Sequence, residues 1–341
     1  MQITTIGLDI AKNVFQVHGV DTDDRPVVRK KLRRSQVLKF FAALEPCVVG
    51  LEACASAHYW ARELAALGHD ARLVPPSYVK GYVKRGKSDV IDAEAICEAV
   101  TRPSMRFVPA KSAAQQATMV SHRLHDMLIR QRTMLINLLR SQMAEFGLVA
   151  SKGGQGVATL VAILNDAAET RIPAPARAML KELVATIEAL NLRLDSTEKA
   201  IVASVRSDPV ARRLMTIPGV GPITASAMVA MVGDPSRFRN GRHFAAWLGL
   251  VPKQNGTGGK MRLGRISKMG DRYLRKLLVL GATSGLGRAR AGRDPMARWT
   301  RRLKERRAPR LVSVALANKM ARIVWAVMAH DEVYRPEAAA A

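Results

Sequence analysis

Acidic residues are the scarce class in this sequence: 28 Asp and Glu stand against 54 Lys and Arg, a formal charge of +26 over 341 residues. A charge this large says little about fold and much about partners. It points to a polyanion, either nucleic acid or an anionic membrane surface. No apolar run approaches the roughly 18 residues needed to cross a bilayer. The start, Met-Gln-Ile-Thr-Thr-Ile-Gly-Leu-Asp, lacks a basic stretch and meets a charge early, unlike a signal peptide. Nucleic acid is therefore the better reading, with no membrane. Cysteine is also scarce: Cys47, Cys54 and Cys97 are scattered, with no Cys-x-x-Cys and no His at ligand spacing. That argues against a disulfide framework and a zinc site, and for a reducing, cytoplasmic setting; with nucleic acid as partner, association with the nucleoid is expected. Cys54, near Glu52, reads as a buried structural thiol rather than a nucleophile.

Against that scarcity, the placement of four acids stands out. In Lys87-Ser88-Asp89-Val90-Ile91-Asp92-Ala93, between a basic run and an apolar helix-forming tail, Asp89 and Asp92 fall three apart and share one helix face. Two carboxylates on one face repel, so a cation is expected between them, either an Arg or a divalent metal. Asp9 ends the run Ile6-Gly7-Leu8, and Glu52 ends Val48-Val49-Gly50-Leu51. Both read as strand-end carboxylates aimed where a parallel-type sheet opens into a cleft. Asp9, Glu52, Asp89 and Asp92 are expected to converge on Mg²⁺; an all-oxygen set favours Mg²⁺ or Mn²⁺ over zinc.

The length suggests two or three domains. Strands are expected over 2–9, 14–20 and 27–32, a helix over 36–44 capped by Ser35, and a buried strand over 47–51. A helix over 57–67 stopped by Gly68 and a strand over 71–74 follow. This order describes an α/β domain with a mixed sheet. Long helices are expected over about 112–146, with Val120, Leu124, Leu128, Leu135, Leu139 and Phe146 as the apolar series, and over 174–205. A glycine-rich break at 153–156 separates them. The pair would form an antiparallel arm or a dimer coiled coil; an intramolecular hairpin is an equal reading.

Ile217-Pro218-Gly219-Val220-Gly221-Pro222 resembles a helix-hairpin-helix element, with Gly219 and Gly221 allowing close approach to a phosphate. From 237 to 310 there are 21 Lys and Arg and three acids, an imbalance that calls for nucleic acid. Within it, Gly256-Thr257-Gly258-Gly259 could hold a hydroxyl close to a phosphate. Lys260, Arg262, Arg265, Lys268, Arg272 and Arg275 could balance its charge, and Ser267 reads as a helix cap or phosphate contact. A simple hairpin whose cations touch the backbone is the plainer reading. His243 is the nearest histidine upstream and looks like helix packing. The tail 336–341 is expected to be disordered.

Taken in order, Gly-Leu-Asp-Ile-Ala-Lys, Leu-Glu-Ala-Cys, Lys-Ser-Asp-Val-Ile-Asp-Ala, Ile-Pro-Gly-Val-Gly, Trp-Leu-Gly-Leu-Val-Pro and Leu-Gly-Arg-Ile-Ser-Lys…Gly-Asp-Arg-Tyr-Leu-Arg resemble the Piv-like DEDD transposases of the insertion sequence 110 family, the bridge recombinases. The resemblance implies a RuvC-like (RNase H-like) domain over 1–110, a helical coiled-coil arm over 111–206 and a mainly α C-terminal transposase domain over 207–335. It maps the acidic tetrad onto Asp9, Glu52, Asp89 and Asp92. It places a nucleophilic hydroxyl at Thr257, where the family has serine. It further implies DNA partners at target and donor ends, a structured guide RNA made by the element, and a homodimer or homotetramer. The expected chemistry is Mg²⁺-dependent strand cleavage and exchange through Thr257. The rivals are a hydrolytic RuvC-like nuclease and a non-catalytic nucleic-acid binder.

Overall fold

The computed structural model describes residues 2–83, 88–288 and 295–336. Its backbone divides into two compact units, 1–114 and 115–341. The basic residues Lys84, Arg85 and Lys87, and the tail 337–341, lie outside the described residues.

The first unit contains β1 (Thr5–Ile10), β2 (Val14–Val20), β3 (Pro26–Arg33), α1 (Val37–Ala42), β4 (Val48–Glu52), α2 (Ala57–Ala66), β5 (Asp70–Val74), α3 (Pro76–Val79) and α4 (Asp89–Val100). The five strands form one mixed sheet in the order β3-β2-β1-β4-β5. β1 pairs antiparallel with β2 and parallel with β4, and β5 continues the parallel half. Alternation along β1 decides what each face meets. Ile6 and Leu8 join Phe15, Val17, Phe41, Trp60 and Leu64 in one core layer, where Phe15 and Trp60 meet edge to face at 4.9 Å. Gly7 points to the opposite face, where α4 lies.

Most sequence expectations for this unit fall within a few residues of the observed elements. Ser35 is an exception. It sits inside a 3₁₀ turn (Arg34–Gln36), and α1 begins only at Val37. The Gln36 side chain turns back to accept the Arg33 amide at 2.8 Å, so it closes the turn that Ser35 was expected to open. Cys54 is a second exception: it is exposed, not buried.

The second unit holds α5 (Ala113–Glu145, which starts at the boundary), α6 (Gly154–Asn165), α7 (Ala174–Arg206), α8 (Pro209–Leu214), α9 (Pro222–Val232), α10 (Gly241–Trp247), β6 (Pro252–Thr257), β7 (Lys260–Ile266), α11 (Arg272–Arg288), α12 (Pro295–Lys304) and α13 (Pro309–Ala329). The 33-residue helices α5 and α7 run antiparallel against each other. Leu128 packs on Leu190 and Leu194, Arg132 donates to Asn191 at 3.1 Å, and His125 meets Glu198 at 2.9 Å. The intramolecular hairpin is thus the arrangement within one chain. Val120 and Leu124, expected in the apolar seam, are 61% and 42% exposed: by spacing they lie on the Leu128 side, but near its start α5 buries Met119, His122 and His125 instead. The glycine-rich break is partly helical: Gly153 precedes α6 with φ +97°, and Gly154 and Gly156 lie in its first turn.

α13 is the one described helix long and apolar enough to cross a membrane by length and composition. Here its Val312, Leu316, Met320 and Val324 lie in the core with Leu214, Phe244, Leu274 and Leu278, which accounts for its apolarity.

Candidate active site

Asp9 and Glu52 leave the sheet side by side. β1 and β4 are parallel neighbours with Leu8 opposite Leu51, so the next residue of each strand is an acid at its C-terminal end. Two residues before each acid is a glycine, on the same face by strand periodicity. A β-carbon at Gly7 would stand 2.1 Å from the Ala93 carbonyl oxygen and 2.5 Å from the Cys97 amide nitrogen. One at Gly50 would stand 2.8 Å from Val100 Cβ. The two glycines therefore form a seat on which α4 lies against the strands, running opposite to β1. Its first turn, carrying Asp89 and Asp92 behind the Ser88 cap, comes down over the strand ends that carry Asp9 and Glu52.

The electrostatics follow from that seat. Asp9 is pushed from 3.8 up to about 6, first by burial, then by Asp92, Asp89 and Glu52. Glu52 is raised by burial and by Asp92. The Cys54 thiol is raised by partial desolvation, then by Glu52 and Asp9. At Asp9 and Glu52 no neighbouring cation offsets this repulsion among the described residues. Four carboxylates within electrostatic reach, with no His or Cys needed as a ligand, suit a hard divalent cation. The set is open: among the described residues, no three His, Cys, Asp or Glu side chains are drawn close enough to hold an ion between them. To hold an ion between them, these side chains would have to draw inward.

The second group of expected residues lies on the β6–β7 hairpin. Thr257 ends β6 and faces Lys260 across a two-residue turn. Gly258 and Gly259 make the turn with φ of +56° and +78°, the left-handed pair that a tight hairpin demands. Every residue of β6 and all of β7 but Ile266 is exposed. Asn255 pairs with Arg262 on the Thr257 face. Thr257, Lys260, Arg262 and Arg265 are therefore presented together on one exposed ribbon.

Four other expected contact residues also take part in the fold. The Ser267 amide donates to Val251 at 2.8 Å and the Lys268 amide to Gly249 at 3.0 Å, which closes the hairpin base. Ser267 caps no helix; Asp271 caps α11, accepting the Leu274 amide at 2.8 Å. Arg275 is half-buried and donates to the Leu248 and Gly270 carbonyls, both at 3.0 Å. Gly219 (φ +88°) packs on α11, where a β-carbon would meet the Gly281 carbonyl at 2.8 Å. Gly221 at the start of α9 faces open space, and Arg272 is exposed.

Residues 6–147, which carry all four acids, match a family model described as "Transposase", and residues 211–297, which carry the hairpin, match "Transposase IS116/IS110/IS902 family". A Yersinia enterocolitica protein named "Transposase for insertion sequence element IS1328" is 38% identical over 97% of this chain and 98% of its own length. The chain belongs to the IS116/IS110/IS902 transposase family. A Pseudomonas aeruginosa protein named "Probable family 20 transposase" is 50% identical over 98% of this chain and all of its own length. The "Pilin gene-inverting protein" of Moraxella lacunata is 26% identical over 36% of this chain and 37% of its own length. This transposase thus sits among insertion-sequence proteins that act on DNA.

The glycine seat was missed in the sequence, although its signal was there: Gly7-Leu8-Asp9 and Gly50-Leu51-Glu52 are the same pattern twice. A second missed feature is a buried polar knot in the helical unit. His122 lies 3.2 Å from the Tyr273 hydroxyl and 3.0 Å from Ser226 Oγ. One turn on, Asp126 pairs with Lys276. No motif joins residues this far apart in sequence.

Proposed function

We propose that this transposase cuts and rejoins DNA strands by transesterification, with Asp9, Glu52, Asp89 and Asp92 as the metal-holding carboxylates and Thr257 as the nucleophile. The observation that carries the reading is the carboxyl of Asp9, half-buried and raised by three other acids with no other evident use for their repulsion. The sheet order β3-β2-β1-β4-β5 with α4 across it supports a RuvC-like description of this unit. The antiparallel pair of α5 and α7 supports the arm, and the turn between α8 and α9 the helix-hairpin-helix-like element.

When bound, Mg²⁺ or Mn²⁺ supplies Lewis acidity at the scissile phosphate. The chain's own groups do the rest. The Thr257 hydroxyl oxygen forms a bond to phosphorus, the bond from phosphorus to the leaving deoxyribose oxygen breaks, and the hydroxyl proton passes to that oxygen. One phosphoester replaces another, so resealing needs no nucleotide cofactor. Lys260 and Arg262 flank Thr257 on its ribbon face and hold the phosphate charge. The reaction requires carboxylates and hydroxyl to reach the same phosphate. Selection of target and donor by an element-encoded guide RNA, and assembly as a dimer or tetramer, belong to the same proposal and rest on the family.

The test is to trap a covalent protein–DNA adduct under denaturing conditions, with the element's own ends and flanking transcript as substrates. Wild type should give an adduct in Mg²⁺, Thr257→Ala none, and Asp92→Ala none. Full cleavage by wild type without any adduct would overturn the nucleophile and leave a hydrolytic nuclease.

A further inference from the structure

The β6–β7 hairpin carries two faces of different chemistry. Thr257, Lys260 and Arg262 occupy one. On the other, Gly256 pairs with Met261 and Gln254 with Leu263. Met261 is 62% and Leu263 70% exposed. Met261 lies across the bare backbone of Gly256, where a β-carbon would stand 2.9 Å from its sulfur. That glycine leaves a flat shelf on which the thioether rests, close to the end of the ribbon. Two large aliphatic side chains on a freestanding ribbon are a standing cost in water. A partner that covered them would remove that cost.

The surrounding charge selects the occupant. The apolar pair is backed by Lys260 and Arg262, so two ribbons laid face to face would set like charges against each other. A DNA duplex offers both surfaces needed: phosphates for the cations and, between adjacent base pairs, an apolar stack. Strands can enter either groove, and from the minor groove Met and Leu are among the side chains that wedge between base steps and unstack them.

We propose that Met261 and Leu263 form an apolar wedge that opens a base step beside the phosphate attacked by Thr257. This rests on the reading of Thr257 as nucleophile. Duplex DNA holds the backbone in a regular stacked form, and unstacking one step frees the neighbouring phosphate to turn toward the hydroxyl. The wedge assigns the two ribbon faces separate tasks: one holds the phosphate, the other deforms the duplex.

The test uses full-length protein in chelator, so that no strand is cut, and two short duplexes of one mixed sequence, one fully paired and one with a single central mismatch. Binding is followed by fluorescence anisotropy across a salt series. Wild type should bind the mismatched duplex about tenfold more tightly, because its step is already loosened. Met261→Ser/Leu263→Ser should bind both alike with an unchanged salt slope. Lys260→Ala/Arg262→Ala should lower the slope by about two and keep the preference. Thr257→Ala should also keep it, so that loss of the adduct and loss of the wedge are read separately. The wedge is overturned if wild type shows no preference, or if the serine pair retains it. It is also overturned if Thr257→Ala abolishes it, or if the serine pair instead changes the oligomeric state on a sizing column.

Discussion

Gly7 and Ala93 meet backbone to backbone: a β-carbon on the glycine would come within 2.1 Å of the alanine carbonyl oxygen. No rotamer relieves such a clash, since the atom struck is main chain. Gly7→Ala must push α4 off the sheet, and with it Asp89 and Asp92 away from Asp9 and Glu52. The expected cost is about 2–4 kcal/mol in urea unfolding of the first unit. Gly50→Ala meets Val100 Cβ at 2.8 Å and Ile96 Cγ2 at 3.1 Å, longer approaches with no main-chain atom among them, so it should cost less. Equal losses for the two would argue against the seat.

Asp9 makes the metal-free protein sensitive to pH in a definite direction. Its carboxyl binds a proton more tightly folded, at about 6, than in its ordinary state at 3.8. The stabilising share of that proton is fully present below about 3.8 and is lost as pH rises through about 6. Asp9→Asn should therefore raise the unfolding free energy at pH 7.5 in chelator by on the order of 1 kcal/mol after solvent screening, read as a higher melting temperature, and change little near pH 4. Mg²⁺ should stabilise wild type at pH 7.5 more than Asp9→Asn. A gain independent of pH would remove the electrostatic account.

His122 works in the opposite sense in the other unit. Burial, then His125, lowers it from 6.5 to about 4, with Tyr273 and Ser226 on its two ring nitrogens. The unfolded chain takes a proton that the folded one refuses, so stability falls as pH drops from about 6.5 to 4. His122→Gln should flatten that slope for the second unit, as read by helix melting followed at 222 nm. A slope unchanged in the variant would assign the acid sensitivity to other groups.

The parts legible in sequence are those with local periodicity or local chemistry. β2 was bounded correctly because Val14–Val20 alternates, and the end of α2 because Gly68 takes φ +92°. The four acids were legible because carboxylates at strand ends and a helix start have little structural reason to gather in a basic chain. What stayed hidden depends on contacts between distant segments. Gly219 was read as a phosphate loop, and its close packing on Gly281, more than sixty residues away, left no local signal. The seam of α5 was misread because Val120 and Leu124 do share a side with Leu128, but near the start of the helix the covered face carries Met119, His122 and His125. Cys54 was placed inside by residue type alone, whereas the loop after β4 leaves it outside.

Thr257 tests how far a hydroxyl's setting matters. It ends a strand, where a β-branched side chain has restricted χ1, and the following Gly258 and Gly259 leave space around it. Thr257→Ser keeps the oxygen and removes the methyl group. Adduct formation should stay equal or rise, while Thr257→Ala should abolish it without changing duplex affinity. An active alanine variant would move the nucleophile elsewhere.

Arg272 and Arg275 sit three residues apart in one basic motif, and the structure separates them. Arg272 is exposed at the start of α11. Arg275 instead donates one nitrogen to the carbonyls of Leu248 and Gly270, tying the end of α10 to the turn before α11. A lost charge-assisted bond to half-buried carbonyls costs about 1.5–3 kcal/mol. Arg275→Ala should therefore lower the unfolding midpoint of the second unit and leave the salt dependence of DNA binding nearly unchanged. Arg272→Ala should leave the midpoint within about 0.5 kcal/mol and reduce the salt slope by about one phosphate contact. Denaturant melts and salt-series binding on the same two proteins decide the matter. If both variants lose slope and neither loses stability, Arg275 also reaches the nucleic acid and its carbonyl contacts are incidental.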